Sequence, residues 1–94
     1  IYNLTMEFPF TQENHDGYLI RTFGKDVETE ELKWHYDLEN RKVTILEGDG
    51  WEFQMDNKIP IELKPGDVTY IPKGIYHRIK RGNNNLKIKI EFYE

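Results

Sequence analysis

Cysteine, serine and alanine are all missing from this 94-residue chain. Without cysteine there are no disulfides, no thiolate metal ligands and no thiol nucleophile. With serine absent as well, acyl-enzyme chemistry of the triad type loses its two usual nucleophiles. No apolar run approaches the length that spans a bilayer, and no signal-peptide pattern opens the chain. The expected location is the cytoplasm, with no membrane partner. Positive charge is short too: 13 Lys and Arg against 17 Asp and Glu leave a net charge of −4, with a pI near 5.4. That balance gives no general attraction to nucleic acid or to an anionic membrane. The chain opens on Ile1 rather than Met, so a few residues are expected ahead of it.

What is present points to one small domain, residues 1–94, with a single modest core. Apolar residues make up 37% of the chain and aromatic residues 14%, so that core must lean on a few large side chains. Turn signals recur at short intervals: Asn14-His15-Asp16-Gly17, Gly48-Asp49-Gly50, Asp56-Asn57, Pro65-Gly66-Asp67, Pro72-Lys73-Gly74 and Gly82-Asn83-Asn84-Asn85. The segments between them are rich in Ile, Val, Tyr, Phe and Thr. They predict strands near 18–23, 31–37, 42–46, 51–55, 59–63, 67–71, 75–80 and 86–93. No segment has a sustained helical period, although residues 25–32 have room for a turn of helix. Many short strands at this spacing mean an all-β sandwich or barrel. Trp51, Phe53 and Met55 alternate with Glu52 and Gln54, and Ile88, Ile90 and Phe92 with Lys87, Lys89 and Glu91. Each pattern predicts an apolar face inward and a charged face in water.

The stretch with most chemistry is PGDVTYIPKGIYHRI, residues 65–79. It has the form G-x5-P-x-G-x2-H, with Gly66, Pro72, Gly74 and His77. A turn enters a strand at Gly66-Asp67, Pro72 ends it, and Gly74 permits a tight reversal. The chain then returns with His77 on the same face as Ile75 and Ile79, which predicts an inward, partly buried imidazole. Upstream, His35-Tyr36-Asp37 precedes Val43-Thr44-Ile45-Leu46-Glu47-Gly48. Two-residue spacing puts His35 and Asp37 on one face of a strand.

Together these stretches, residues 31–80, resemble the two signature motifs of the cupin superfamily. The resemblance implies a double-stranded β-helix, or jelly-roll barrel, with a metal held inside by motif histidines and a glutamate. The second motif is well matched and the first is degenerate. Asp37 stands where the family has its second histidine, Arg41 where it has its glutamate, and Arg81 where an asparagine often closes the second motif. The resemblance leaves His35, Asp37 and His77 as metal ligands. A two-His, one-carboxylate set suits a divalent transition metal such as iron, manganese, nickel or zinc. Arg41, Arg81, Gln54 and Tyr70 are the ligand-binding candidates, and Glu39 and Glu47 are carboxylates near the site.

Periodicity alone reads residues 32–38 the other way. It places Lys33, His35 and Asp37 in solvent and Trp34 and Tyr36 in the core. The cupin reading reverses those faces, and Trp34 and Tyr36 then need cover, most simply from a second copy in a homodimer. His77 has a plain alternative as a packed, hydrogen-bonded core histidine. His15 falls in an exposed turn without a role. Lys80, Arg81, Lys87 and Lys89 make a small basic cluster without the aromatic platform of a nucleic-acid site.

Two functions from different classes follow. One is a metal-dependent enzyme of dioxygenase, isomerase or lyase type acting on a small molecule in the barrel. The other is a metal-independent module that binds a small anion, a sugar or a nucleotide, through Arg41, Arg81 and His77. The order His35-x-Asp37…His77 is also similar to that of the 2-oxoglutarate oxygenases. However, no arginine follows His77 at the distance where those enzymes bind the oxoacid.

Overall fold

A computed structural model describes residues 10–26 and 30–94. Among the described residues, eight strands run in the order β1 (Phe10–His15), β2 (Tyr18–Phe23), β3 (Asn40–Glu47), β4 (Glu52–Met55), β5 (Ile61–Glu62), β6 (Val68–Ile71), β7 (His77–Lys80) and β8 (Leu86–Tyr93). They form a five-stranded sheet, β1-β2-β8-β3-β6, facing a three-stranded sheet, β5-β4-β7. Every ladder is antiparallel. The chain is thus all-β, as expected, and two facing antiparallel sheets give the jelly-roll its closed interior.

The long β3–β8 ladder shows why these residues make strands. Val43 pairs with Ile90 and Ile45 with Ile88, while Lys42 pairs with Glu91 and Thr44 with Lys89. Apolar pairs therefore fall on the inner face and charged pairs on the outer. Leu19 and Phe23 continue the inner rows on β2, opposite Ile90 and Leu86. Trp51, Phe23, Ile45, Leu86 and Ile90 are the largest fully buried side chains. The Trp51 indole Nε1 donates to the Asn84 carbonyl at 2.7 Å, so its polar edge enters the core at little cost.

Three expectations change at the elements themselves. Strand β1 was not predicted, because Thr11 to His15 are all exposed and show no alternation. Pairing from Phe10–Phe23 to His15–Tyr18 holds it to β2 all the same. His15 ends that strand, stacked on Tyr18 at 4.6 Å between centroids. The strand expected over residues 31–37 is replaced by a single 3-10 turn at Glu30–Leu32 and an isolated bridge at His35. Part of the helical turn expected over residues 25–32 lies outside the described residues. Phe92 alternates with the inner residues but is 46% exposed, near the end of β8 with the Arg41 guanidinium over its ring. Among the described residues, no helix is long and apolar enough to cross a membrane.

Candidate metal centre

The second motif delivers His77. Gly74 takes φ +80°, which a side chain rarely adopts, and reverses the chain between β6 and β7. β7 then pairs with β4, His77 opposite Met55 and Ile79 opposite Phe53. His77 is the only charged or polar residue among the described ones that is fully buried, at 4% exposure.

His35 reaches the same place by a different route. Its backbone N–H donates to the His77 carbonyl at 3.1 Å, and the His77 N–H donates back at 2.8 Å. Residues paired this way across two antiparallel strands put their side chains on one face. The two imidazoles accordingly lie 4.4 Å apart between centroids. Asp37, two residues on, follows on the same side, and its carbonyl accepts from Gly74 N–H at 2.9 Å. The inward reading of His35 and Asp37 therefore holds. Trp34 and Tyr36 lie on the outside, 43% and 49% exposed, packed under Arg78 and against Tyr76.

Each imidazole has one nitrogen committed. His35 Nδ1 bonds the Lys33 carbonyl at 2.7 Å, and His77 Nδ1 bonds the Ile75 carbonyl at 2.8 Å. A carbonyl only accepts, so both Nδ1 atoms carry the hydrogen, and Nε2 is the nitrogen each ring would offer to a metal in its neutral form. Fixing one nitrogen on a carbonyl so that the other is free to ligate is the usual support of a metal-binding histidine. His77 Nε2 is 3.3 Å from Asp37 Oδ2, and one ligand atom each from His35, Asp37 and His77 lie within 4.8 Å of one another.

These dimensions fit a metal. Ligands at about 2.1 Å from one ion lie about 3.0–3.4 Å from each other in octahedral or tetrahedral arrangements. The Asp37–His77 pair is already there, and His35 needs a small inward shift. Asp37 is also in the right protonation state. Burial pushes its pKa up, but the hydrogen bond from His77 Nε2 and the charges of Arg41, His77 and His35, those of the two rings present when they are protonated in the metal-free site, more than offset this, leaving it below the ordinary value. A carboxylate that stays ionised is what a metal ligand requires.

The three ligands open onto a cavity of about 60 Å³ inside the barrel, walled largely by apolar side chains such as Val43, Phe53 and Ile71. Arg41 lies on its wall as well. Its Nε is 3.5 Å from Asp37 Oδ2, and its Nε and Nη2 donate to Glu39 Oε1 at 3.2 and 3.0 Å. Where the motif has a glutamate, this chain therefore has a cation paired to one of the ligands. The other binding candidates do not reach the cavity. Gln54 points out of β4 and accepts from Arg78 Nε at 3.0 Å. Tyr70 is 55% exposed, edge-on to Tyr93 outside the barrel. Arg81 donates to the Lys25 carbonyl at 2.8 Å. Glu47 faces Lys87 on the outer surface. Two residues that sequence reasoning passed over do line the cavity, Arg21 from β2 and Glu31 from the 3-10 turn, paired at 3.3 Å. Arg21 was detectable, since it interrupts the inner row Leu19-x-Arg21-x-Phe23.

No family model matches the sequence, and no curated protein does either. Solved structures match well. A cupin 2 conserved barrel domain protein from Leptotrichia buccalis aligns over 100% of this chain and 44% of its own, with a TM-score of 0.65 and 20% identity. A cupin domain from Bordetella pertussis aligns over 95% of this chain and 99% of its own, at TM-score 0.62 and 16% identity. DMSP lyase DddQ from Ruegeria pomeroyi aligns over 85% of this chain, at TM-score 0.64 and 20% identity, but the chain spans only 40% of that enzyme's length. The chain has the cupin fold.

Proposed function

We propose that His35, Asp37 and His77 hold one divalent transition metal, and that the chamber around it binds and processes a small molecule. The observation that carries this reading is the cross-strand pair of histidines, each locked at Nδ1 on a backbone carbonyl, with Asp37 closing the triangle. The bound ion would supply Lewis acidity and open positions for a substrate. The chain's own part is to keep Asp37 ionised, to orient both rings, and to surround the substrate with apolar walls that exclude water. Similar folds host dioxygenases, isomerases and lyases, so fold alone does not select the reaction. The DMSP lyases among the structural neighbours put lyase chemistry first in an activity screen.

The test is metal content after purification without chelator or histidine tag, beside His77→Ala and Asp37→Ala. Near-stoichiometric iron, manganese, nickel or zinc, abolished by both substitutions, supports the site. Because the histidines bind as neutral rings, affinity should also fall on acidification. Metal far below one per chain, unmoved by either substitution or by added Fe(II) or Ni(II), overturns the reading. It would leave the metal-independent module, which the Arg41–Asp37 contact favours. A cavity of about 60 Å³ would then suit a small anion rather than a sugar or nucleotide.

A further inference from the structure

Arg21 is an expensive residue to place where it is. Its neighbours along the inner face of β2, Leu19 and Phe23, are core residues, and its side chain is only 15% exposed. Burial accordingly pulls its pKa below the ordinary arginine value, Glu31 pulls it back up, and the charge of Arg41 adds to the depression. Arg41, 17% exposed at its side chain, lines the same cavity. Two guanidiniums lining one small apolar chamber are destabilising unless something lies against them.

Glu31, Glu39 and Asp37 meet part of that need. Arg21 uses Nη1 on Glu31 and Nε on Gln12, and Arg41 uses Nε and Nη2 on Glu39. These contacts do not engage Nη2 of Arg21 or Nη1 of Arg41. Formal charge points the same way. Arg21 and Arg41 with Glu31, Asp37 and Glu39 sum to −1 with both histidines neutral. A divalent ion on the three ligands turns that to +1 in a small apolar chamber.

We infer that Arg21 and Arg41 form an oxyanion subsite beside the His35–Asp37–His77 triangle, which takes the carboxylate of a short aliphatic acid. This deepens the metal reading, and its charge count rests on it; the paired guanidiniums stand without it. Planar forks match a carboxylate bidentately, the apolar wall matches an aliphatic chain, and the volume limits that chain to a few heavy atoms.

Propionate and its neutral isostere propionamide are suitable probes, titrated calorimetrically into zinc-loaded protein whose metal content is checked. The subsite predicts that propionate binds at one per chain and propionamide at least about tenfold more weakly. Arg21→Gln and Arg41→Gln should each weaken propionate about tenfold or more while keeping their zinc. Arg41→Lys, which keeps the charge and loses the fork, should weaken it less. Equal binding of propionate and propionamide by the wild type overturns the subsite without any variant. So does unchanged propionate affinity in both glutamine variants. If the wild type takes up no zinc, the metal reading fails separately, and the same titrations on metal-free protein still decide the arginines.

Discussion

The two halves of the candidate site are built to different standards. His77 stands in a strand within a ladder, and the turn that opens its motif, ahead of β6, is tied by Gly66 N–H to the Ile45 carbonyl at 2.8 Å and Ile45 N–H to the Asp67 carbonyl at 2.9 Å. Asp67 also caps that turn through Lys64 N–H at 2.9 Å. His35 and Asp37 stand in an arm of residues 33–39 that forms no strand of its own. The backbone bonds that place them, two at His35 and one at Asp37, all go to residues 74–77 of the other half. One half is scaffold and the other hangs from it. A metal bridging the two would act as a further tie, so binding and ordering of the arm should be coupled.

The scaffold side should be the more costly to damage. Ile90, 1% exposed in the middle of β8, is expected to cost about 2–5 kcal/mol when changed to alanine, through lost transfer energy and the cavity left behind. Leu38 on the arm is 81% exposed, and its alanine variant should stay within about 0.5 kcal/mol. Urea denaturation of both decides the matter, and comparable losses would break the contrast. Zinc at a hundredfold over its dissociation constant should stabilise the folded chain by about 2.7 kcal/mol. Hydrogen exchange should show the added protection at His35 N–H more than at amides of β8. Uniform protection would mean that the arm is already as ordered as the scaffold. Gly74→Ala tests the turn that delivers His77. A side chain there meets nothing within 4 Å, so its cost, about 1–2 kcal/mol, should come from the left-handed backbone alone.

Asp37 links the halves electrostatically and gives a pH signature in chelator-treated protein. Its folded pKa lies below the ordinary 3.8, so its contribution is complete above that value. It is lost as pH falls through the folded pKa. The stability gap between wild type and Asp37→Asn should therefore be full at neutral pH and close in acid. A gap that widens on acidification would reverse the assignment of Asp37 as the ionised partner of His77.

How far each region could be read from sequence follows the same division. The scaffold strands β2, β3, β4, β6 and β8 announce themselves, because one face meets a core and the other meets water. β1 does not, since an edge strand such as Thr11-Gln12-Glu13-Asn14 has no buried face to write into the sequence. The arm misleads: its aromatics point out and its polar residues in, so periodicity gives the wrong face and only the motif resemblance gives the right one. That Gln54 and Tyr70 lie away from the cavity was legible in the sequence. Each alternates with inward residues, Phe53 and Met55 or Thr69 and Ile71, and so had to face outward. Arg21 is the reverse case, a charge in an apolar row.

The outer strip of the arm offers the smallest effect on the fold itself. Trp34 lies under the Arg78 guanidinium, 4.7 Å from carbon to ring centroid, a contact worth about 0.5–1 kcal/mol at an exposed site. Trp34→Glu should cost the monomer no more than that and leave zinc content unchanged, because the indole and the His35 ring leave the arm on opposite sides. The homodimer expected from sequence would use this strip to cover Trp34 and Tyr36. On that expectation the wild type sediments as a dimer and Trp34→Glu as a monomer that still binds zinc. A monomeric wild type withdraws the second copy and leaves the aromatics as surface residues. A Trp34→Glu chain that loses its zinc would show that the two faces of the arm are not independent, and would sink the comparison from which the other tests were drawn.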